Sequence, residues 1–87
     1  SLFGGPEKPR DLTVSPNPVT DVLRIDDLGN VARLDVYNMY GQRVATVWSG
    51  SATTTTIEVS NLTQGAYILN GYSAKGELKA MTRFVKL

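Results

Sequence analysis

The chain has 87 residues, a formal net charge of +1, 41% hydrophobic and 20% charged residues, and neither cysteine nor histidine. That length supports one small domain, and the composition is that of a folded chain. Disulfides, thiolate metal sites, a cysteine nucleophile and histidine acid–base chemistry are excluded, and near-neutral charge gives no electrostatic basis for binding nucleic acid or an anionic membrane.

Residues 1–10 contain Gly4, Gly5, Pro6 and Pro9 without a sustained pattern and read as a linker ahead of a domain at 11–87. No charged region followed by an apolar stretch opens the chain, so any export peptide is expected in a longer precursor. From Asp11 onward the hydrophobic period is two and Val, Ile, Thr and Tyr dominate. Strands are predicted at Asp11–Ser15, Val22–Asp26, Ala32–Asn38, Arg43–Trp48, Thr55–Ser60, Gly65–Ser73 and Leu78–Leu87. Turn signals about every ten residues and no helical stretch make this an all-β, seven-stranded antiparallel sandwich.

Between the first two strands, Ser15-Pro16-Asn17-Pro18 is a rigid turn. The prolines fix φ and remove two donors, while Asn17 and Asp21 are expected to bond their own local backbone. Leu23, Ile25, Leu34, Val36, Val44, Ile57 and Val59 are predicted to face the core, with Arg24, Arg33, Asp35 and Glu58 alternating outward. Asn38-Met39-Tyr40-Gly41 reads as a compact hairpin turn whose glycine takes positive φ. In Asn61-Leu62-Thr63-Gln64-Gly65-Ala66-Tyr67, Leu62 plugs the end of the sandwich, Gly65 bends the chain and Tyr67 follows. That spacing resembles the tyrosine corner of immunoglobulin-like domains.

Few patterns suggest chemistry. Asp26 and Asp27 are adjacent and point to opposite sides, and with Asn30 they fit a solvated turn better than a calcium loop. The sequon Asn61-Leu62-Thr63 carries no weight alone, and Thr53 to Thr56 read as a solvent-facing edge strand. The segment from Leu78 to Leu87 is different. Its charges, Lys79, Arg83 and Lys86, are all positive, and as the last predicted strand it is expected to be open to pairing with a partner.

Four segments then occur in order: Leu12-Thr13-Val14-Ser15-Pro16-Asn17-Pro18 leading to Leu23 and Ile25; Val36-Tyr37-Asn38-Met39-Tyr40-Gly41-Gln42-Arg43-Val44; Asn61 to Tyr67; and the basic, apolar end. Together they resemble the C-terminal sorting domain of the type IX (Por) secretion system of Bacteroidetes, over Asp11 to Leu87. Ser15 departs from the pattern, which often has an aromatic residue before the first proline.

The resemblance implies a seven-stranded immunoglobulin-like sandwich that follows a secreted cargo. It implies passage from the periplasm through an outer-membrane translocon with its shuttle protein, and display at the surface. A surface sortase would cut in or before residues 1–10, and the cargo is commonly attached to an anionic lipopolysaccharide. The domain would be signal and substrate rather than enzyme, with no cofactor, metal or nucleic acid. Lys79, Met81, Arg83, Phe84, Val85, Lys86 and Leu87 would carry translocon recognition. Pro16, Asn17, Pro18, Asp21, Tyr37, Asn38, Gly41, Gly65 and Tyr67 would carry the fold.

On this reading, deleting Arg83 to Leu87 strands the cargo in the periplasm and leaves most of the sandwich folded. Dimerisation through edge strands is a further expectation. The alternative is an accessory adhesion or carbohydrate-binding sandwich, in which Trp48 beside Tyr37 and Tyr40 in the hairpin would form a stacking surface; otherwise Trp48 closes the end of the core.

Overall fold

The computed structural model describes residues 8–87. All seven strands form: β1 (Thr13–Ser15), β2 (Val22–Asp26), β3 (Arg33–Tyr37), β4 (Arg43–Trp48), β5 (Thr55–Glu58), β6 (Gly65–Tyr72) and β7 (Leu78–Lys86). Their ends fall within two residues of the predicted ones, and no helix occurs among the described residues. The strands make two antiparallel sheets, one in the order β1-β2-β5 and one in the order β4-β3-β6-β7.

One core lies between the sheets because period-two alternation aims one side of each strand inward. Leu23 and Ile25 of β2, Leu34 and Val36 of β3, Leu69 of β6 and Phe84 of β7 are all fully buried. Ile57 and Val59 join them, as expected, and Leu62 packs against the cluster from the corner before β6.

One of the predicted orientations is wrong. Val44 is 39% exposed and lies outside the core. A bulge between Val36 and Tyr37 opposes Val36 to Ala45 and Tyr37 to Arg43, which leaves Val44 out of the inward alternation. Ala45 and Val47 take the inward places instead. Asp35 does sit on the outward side of β3, but it is only 1% exposed. Neighbours on the outer face cover it, so outward does not mean solvated here.

The N-terminal segment also departs from a simple first strand. Its middle, β1, pairs with β2, but Arg10 and Val19 on either side make parallel bridges to Ala80 and Lys86 of β7. Residues 10–19 are thus laced alternately to both sheets and close the seam between them. Leu12 and Val19 anchor this lacing in the core. Residues 1–7 of the predicted linker lie outside the described residues, whereas Arg10 is tied down, its guanidinium donating to the Leu28 carbonyl at 2.8 Å.

β6 carries one tight spot. A Cβ at Gly71 would come within 3.0 Å of both methyl carbons of Val31 and 3.3 Å of the Ala80 Cβ. Gly71→Ala is therefore expected to cost about 1–3 kcal/mol by overpacking. Chemical denaturation should show this as a lower midpoint with an unchanged slope.

Candidate interaction face and the terminal strand

β7 holds every residue assigned to recognition except Leu87, which follows it, and its alternation sorts them. Met81, Arg83 and Val85 point outward and, like Leu87, are exposed. Phe84 is fully buried and its ring stacks on Tyr67, with centroids 5.5 Å apart. Lys86 is 8% exposed, and its ammonium reaches the Leu87 carbonyl at 2.8 Å. Lys79 is half-buried, with its ammonium 3.9 Å from Glu77. A partner touching the folded domain meets Met81, Arg83, Val85 and Leu87, not Phe84.

The free edge expected at β7 is not free. Arg10 N–H donates to the Lys79 carbonyl at 3.1 Å and the Arg10 carbonyl accepts from Met81 N–H at 2.9 Å. Farther along, Val19 N–H donates to the Val85 carbonyl at 2.8 Å and Leu87 N–H donates to the Val19 carbonyl at 2.9 Å. Between them Leu12 N–H donates to the buried Thr82 hydroxyl at 2.6 Å. The chain folds its beginning onto its end, which the linear sequence could not disclose.

Asn17 completes this clasp. Its side-chain oxygen accepts from Val85 N–H at 3.0 Å and its amide donates to the Arg83 carbonyl at 3.4 Å. The expected local bond is therefore replaced by a long-range one, with Asn17 between two prolines of fixed φ and its side chain against β7. Asp21 contributes its backbone carbonyl, which accepts from Val59 N–H at 2.7 Å. The proline turn and the terminal strand are one structural unit.

At one end of the domain, two further motif segments meet. The Asn38 side-chain oxygen accepts from Tyr40 N–H at 2.9 Å and Gln42 N–H at 3.0 Å, which shapes the β3–β4 turn. Gly41 supplies the positive φ of 77° that the turn requires. Opposite it, the Tyr67 hydroxyl donates to the Thr63 carbonyl at 2.7 Å and lies 3.1 Å from the Thr63 hydroxyl. That bond fixes the corner before β6. Tyr67→Phe is expected to cost about 1–2 kcal/mol. For a domain of this size the melting temperature should then fall by roughly 4–8 °C per kcal/mol, which calorimetry reads directly.

Between turn and corner runs an apolar groove of about 190 Å³ lined by Asn38, Met39, Ala66, Tyr67, Ile68 and Arg83. A second hollow of about 200 Å³ adjoins it along Tyr40, Thr63, Gln64 and Gly65. Met39 and Tyr40 stand out at its rim, 76% and 88% exposed.

The groove opens onto the outer face of the four-stranded sheet, where register sets residues in rows across the strands. Trp48, Arg33 and Tyr72 are opposed in one row, and Thr46, Asp35, Asn70 and Met81 in the next. Arg43, Tyr37, Ile68 and Arg83 form the third. The Arg33 guanidinium lies over both aromatic neighbours, 4.4 Å from the Tyr72 ring centre and 5.6 Å from that of Trp48. Buried Asp35 is compensated by the Thr46 hydroxyl donating at 2.9 Å and by Arg33 at 3.7 Å. Beside it, the Tyr72 phenol pushes the Tyr37 hydroxyl above its ordinary titration range, aided by burial and the Asp35 charge and opposed by Arg43.

Trp48 does not close the core, nor does it join Tyr37 and Tyr40 at the hairpin. It is 72% exposed at the opposite end of β4, in the row of Arg33 and Tyr72. Sequence reasoning missed this face. The signal was the run Arg33, Asp35, Tyr37 at every second position, matched by Asn70 and Tyr72. On the other sheet, Asp26 takes up local roles: Arg24 and the Thr54 hydroxyl, both at 2.9 Å, lower its pKa.

Neither a curated protein nor a solved structure matches the chain. The profile of the secretion system C-terminal sorting domain matches residues 13–86. The match runs from the start of β1 to the end of β7 and takes in the proline turn, the hairpin, the tyrosine corner and the terminal strand. The chain belongs to the family of secretion system C-terminal sorting domains.

Proposed function

We propose that this domain directs a cargo protein, joined ahead of it, across the outer membrane by the type IX system, and that a surface sortase then removes it by cutting in or before residues 1–10. The observation that carries the reading is the family match over 13–86. The domain acts as a ligand and then a substrate, not as a catalyst. Its partners are the translocon and its shuttle protein, its route runs from periplasm to surface, and its hosts are Bacteroidetes. The sheet orders β1-β2-β5 and β4-β3-β6-β7 and the Tyr67 tie to the Thr63 backbone support an immunoglobulin-like sandwich. Edge-strand dimerisation would use β4, which pairs only with β3 among the described residues.

The test is a fusion of residues 1–87 to the C-terminus of an inert periplasmic reporter in a type IX-competent host. The expected result is reporter at the cell surface, shortened by the mass of the domain. Reporter held in the periplasm would overturn the reading, and surface reporter still carrying the domain would overturn the sortase step alone.

A second reading has one observation in its favour, the exposure of Trp48. An adhesion or carbohydrate-binding module would stack a sugar on that indole. A glycan array with Trp48→Ala as control decides it: saturable binding lost in the variant supports this reading, and no binding removes it.

A further inference from the structure

The third row across the outer face, Arg43–Tyr37–Ile68–Arg83, sets a cation at each end of an apolar pair. Neither arginine forms an ion pair among the described residues. Among the described residues the face has no exposed acid to offer them. Asp35 is buried, and Glu77 lies in the turn before β7, beside Lys79. A guanidinium–carboxylate pair gains little in open water, but in a partly dry site it makes a strong, bidentate contact. Ile68 and Arg83 also line the apolar groove beneath Met39.

We infer that this row and groove form a docking site for an acidic protein segment with an apolar side chain set between two carboxylates. The deduction rests on the secretion-signal reading above and gives the domain's partner a chemistry. The spacing follows from the sheet. Arg43 on β4 and Arg83 on β7 are three strand spacings apart, about 14 Å at about 4.8 Å each. An extended segment crossing the strands matches this when its carboxylates are four residues apart, about 13 Å at 3.3 Å per residue. Its central side chain then falls over Tyr37 and Ile68, beside the groove. A groove of about 190 Å³ has room for a leucine-sized group. A phospholipid surface is less well matched, since lipid recognition uses clusters of roughly four to eight basic residues and, among the described residues, this row sets out Arg43 and Arg83 alone.

The geometry also separates docking from the fold. Arg43 and Arg83 are exposed, so their substitution leaves core, clasp and corner in place. The domain therefore offers its recognition chemistry through side chains on its outer face, while the edge of β7 stays bonded to residues 10–19.

The experiment titrates the intact 87-residue chain with the peptide acetyl-Glu-Gly-Leu-Gly-Glu-amide and follows backbone amide resonances. Saturable shifts at Met39, Arg43, Ala66, Ile68 and Arg83 are expected. They should weaken about tenfold, equivalent to about 1.4 kcal/mol, for the peptide with both Glu replaced by Gln and for the double variant Arg43→Gln, Arg83→Gln. Circular dichroism of that variant checks that the fold persists. Equal shifts with the Gln peptide, shifts confined to other residues, or none at all would overturn the inference. So would sedimentation of the chain with phosphatidylglycerol vesicles in the absence of peptide binding. The reporter fusion separates the two levels: surface export by the native domain without peptide binding sinks the docking site and leaves the secretion signal standing.

Discussion

Phe84→Ala is expected to remove about 3–5 kcal/mol of stability, the usual cost of emptying a buried aromatic site. A domain of 87 residues has roughly 4–13 kcal/mol in all, so one substitution takes much of its stability. The ring is fully buried, it stacks on Tyr67, and Tyr67 in turn ties the corner before β6. Its loss therefore loosens the last strand and the corner together. Denaturant unfolding should show a midpoint lowered by about a quarter of the native value or more, at unchanged slope. A shift below about 1 kcal/mol would mean that Phe84 contributes chiefly through recognition and not through the core.

Deleting Arg83 to Leu87 is expected to unfold the domain, contrary to what the sequence alone suggested. The deletion removes Phe84 and Lys86 from the interior, the β7 partners of Gly65 to Ile68, and the partners of Asn17 and Val19. Loss of the native near-ultraviolet circular dichroism and rapid proteolysis of the truncated chain should follow. A truncated domain that melts cooperatively near the native temperature would show that β7 ends functionally before Arg83. An export defect in such a truncation reports an unfolded domain as readily as a missing contact. Changes at Met81, Arg83 and Val85, whose side chains face outward, separate the two because they leave the core filled. Val85→Ser should change stability by no more than about 0.5–1 kcal/mol.

Much of this was legible along the chain. Strict alternation in Val22–Asp26 and Leu78–Lys86 made the strands visible, because a side chain can face the core only at every second position. Asn38 and Gly41 made the hairpin visible, since a turn with positive φ uses few residue types. The order of the motifs pointed to the family. The errors arose where a neighbour overrode the local rule. Alternation placed Val44 inside, and a bulge displaced it. The same alternation turned Asp35 outward, as it is, but could not show that Thr46, Arg33 and Tyr37 cover it there.

By itself, then, the sequence determined the class of fold, its seven strands, its turns and its kinship, because these depend on residue type and spacing over a few positions. Tertiary structure alone decided what surrounds the last strand and what it presents. Asn17 and Val85 are 68 residues apart and bond side chain to backbone. Arg43 and Arg83 come to flank Tyr37 and Ile68 only through the pairing of four strands. Such contacts depend on sheet order and register, which are settled by how the whole core packs and leave no periodic trace in the chain.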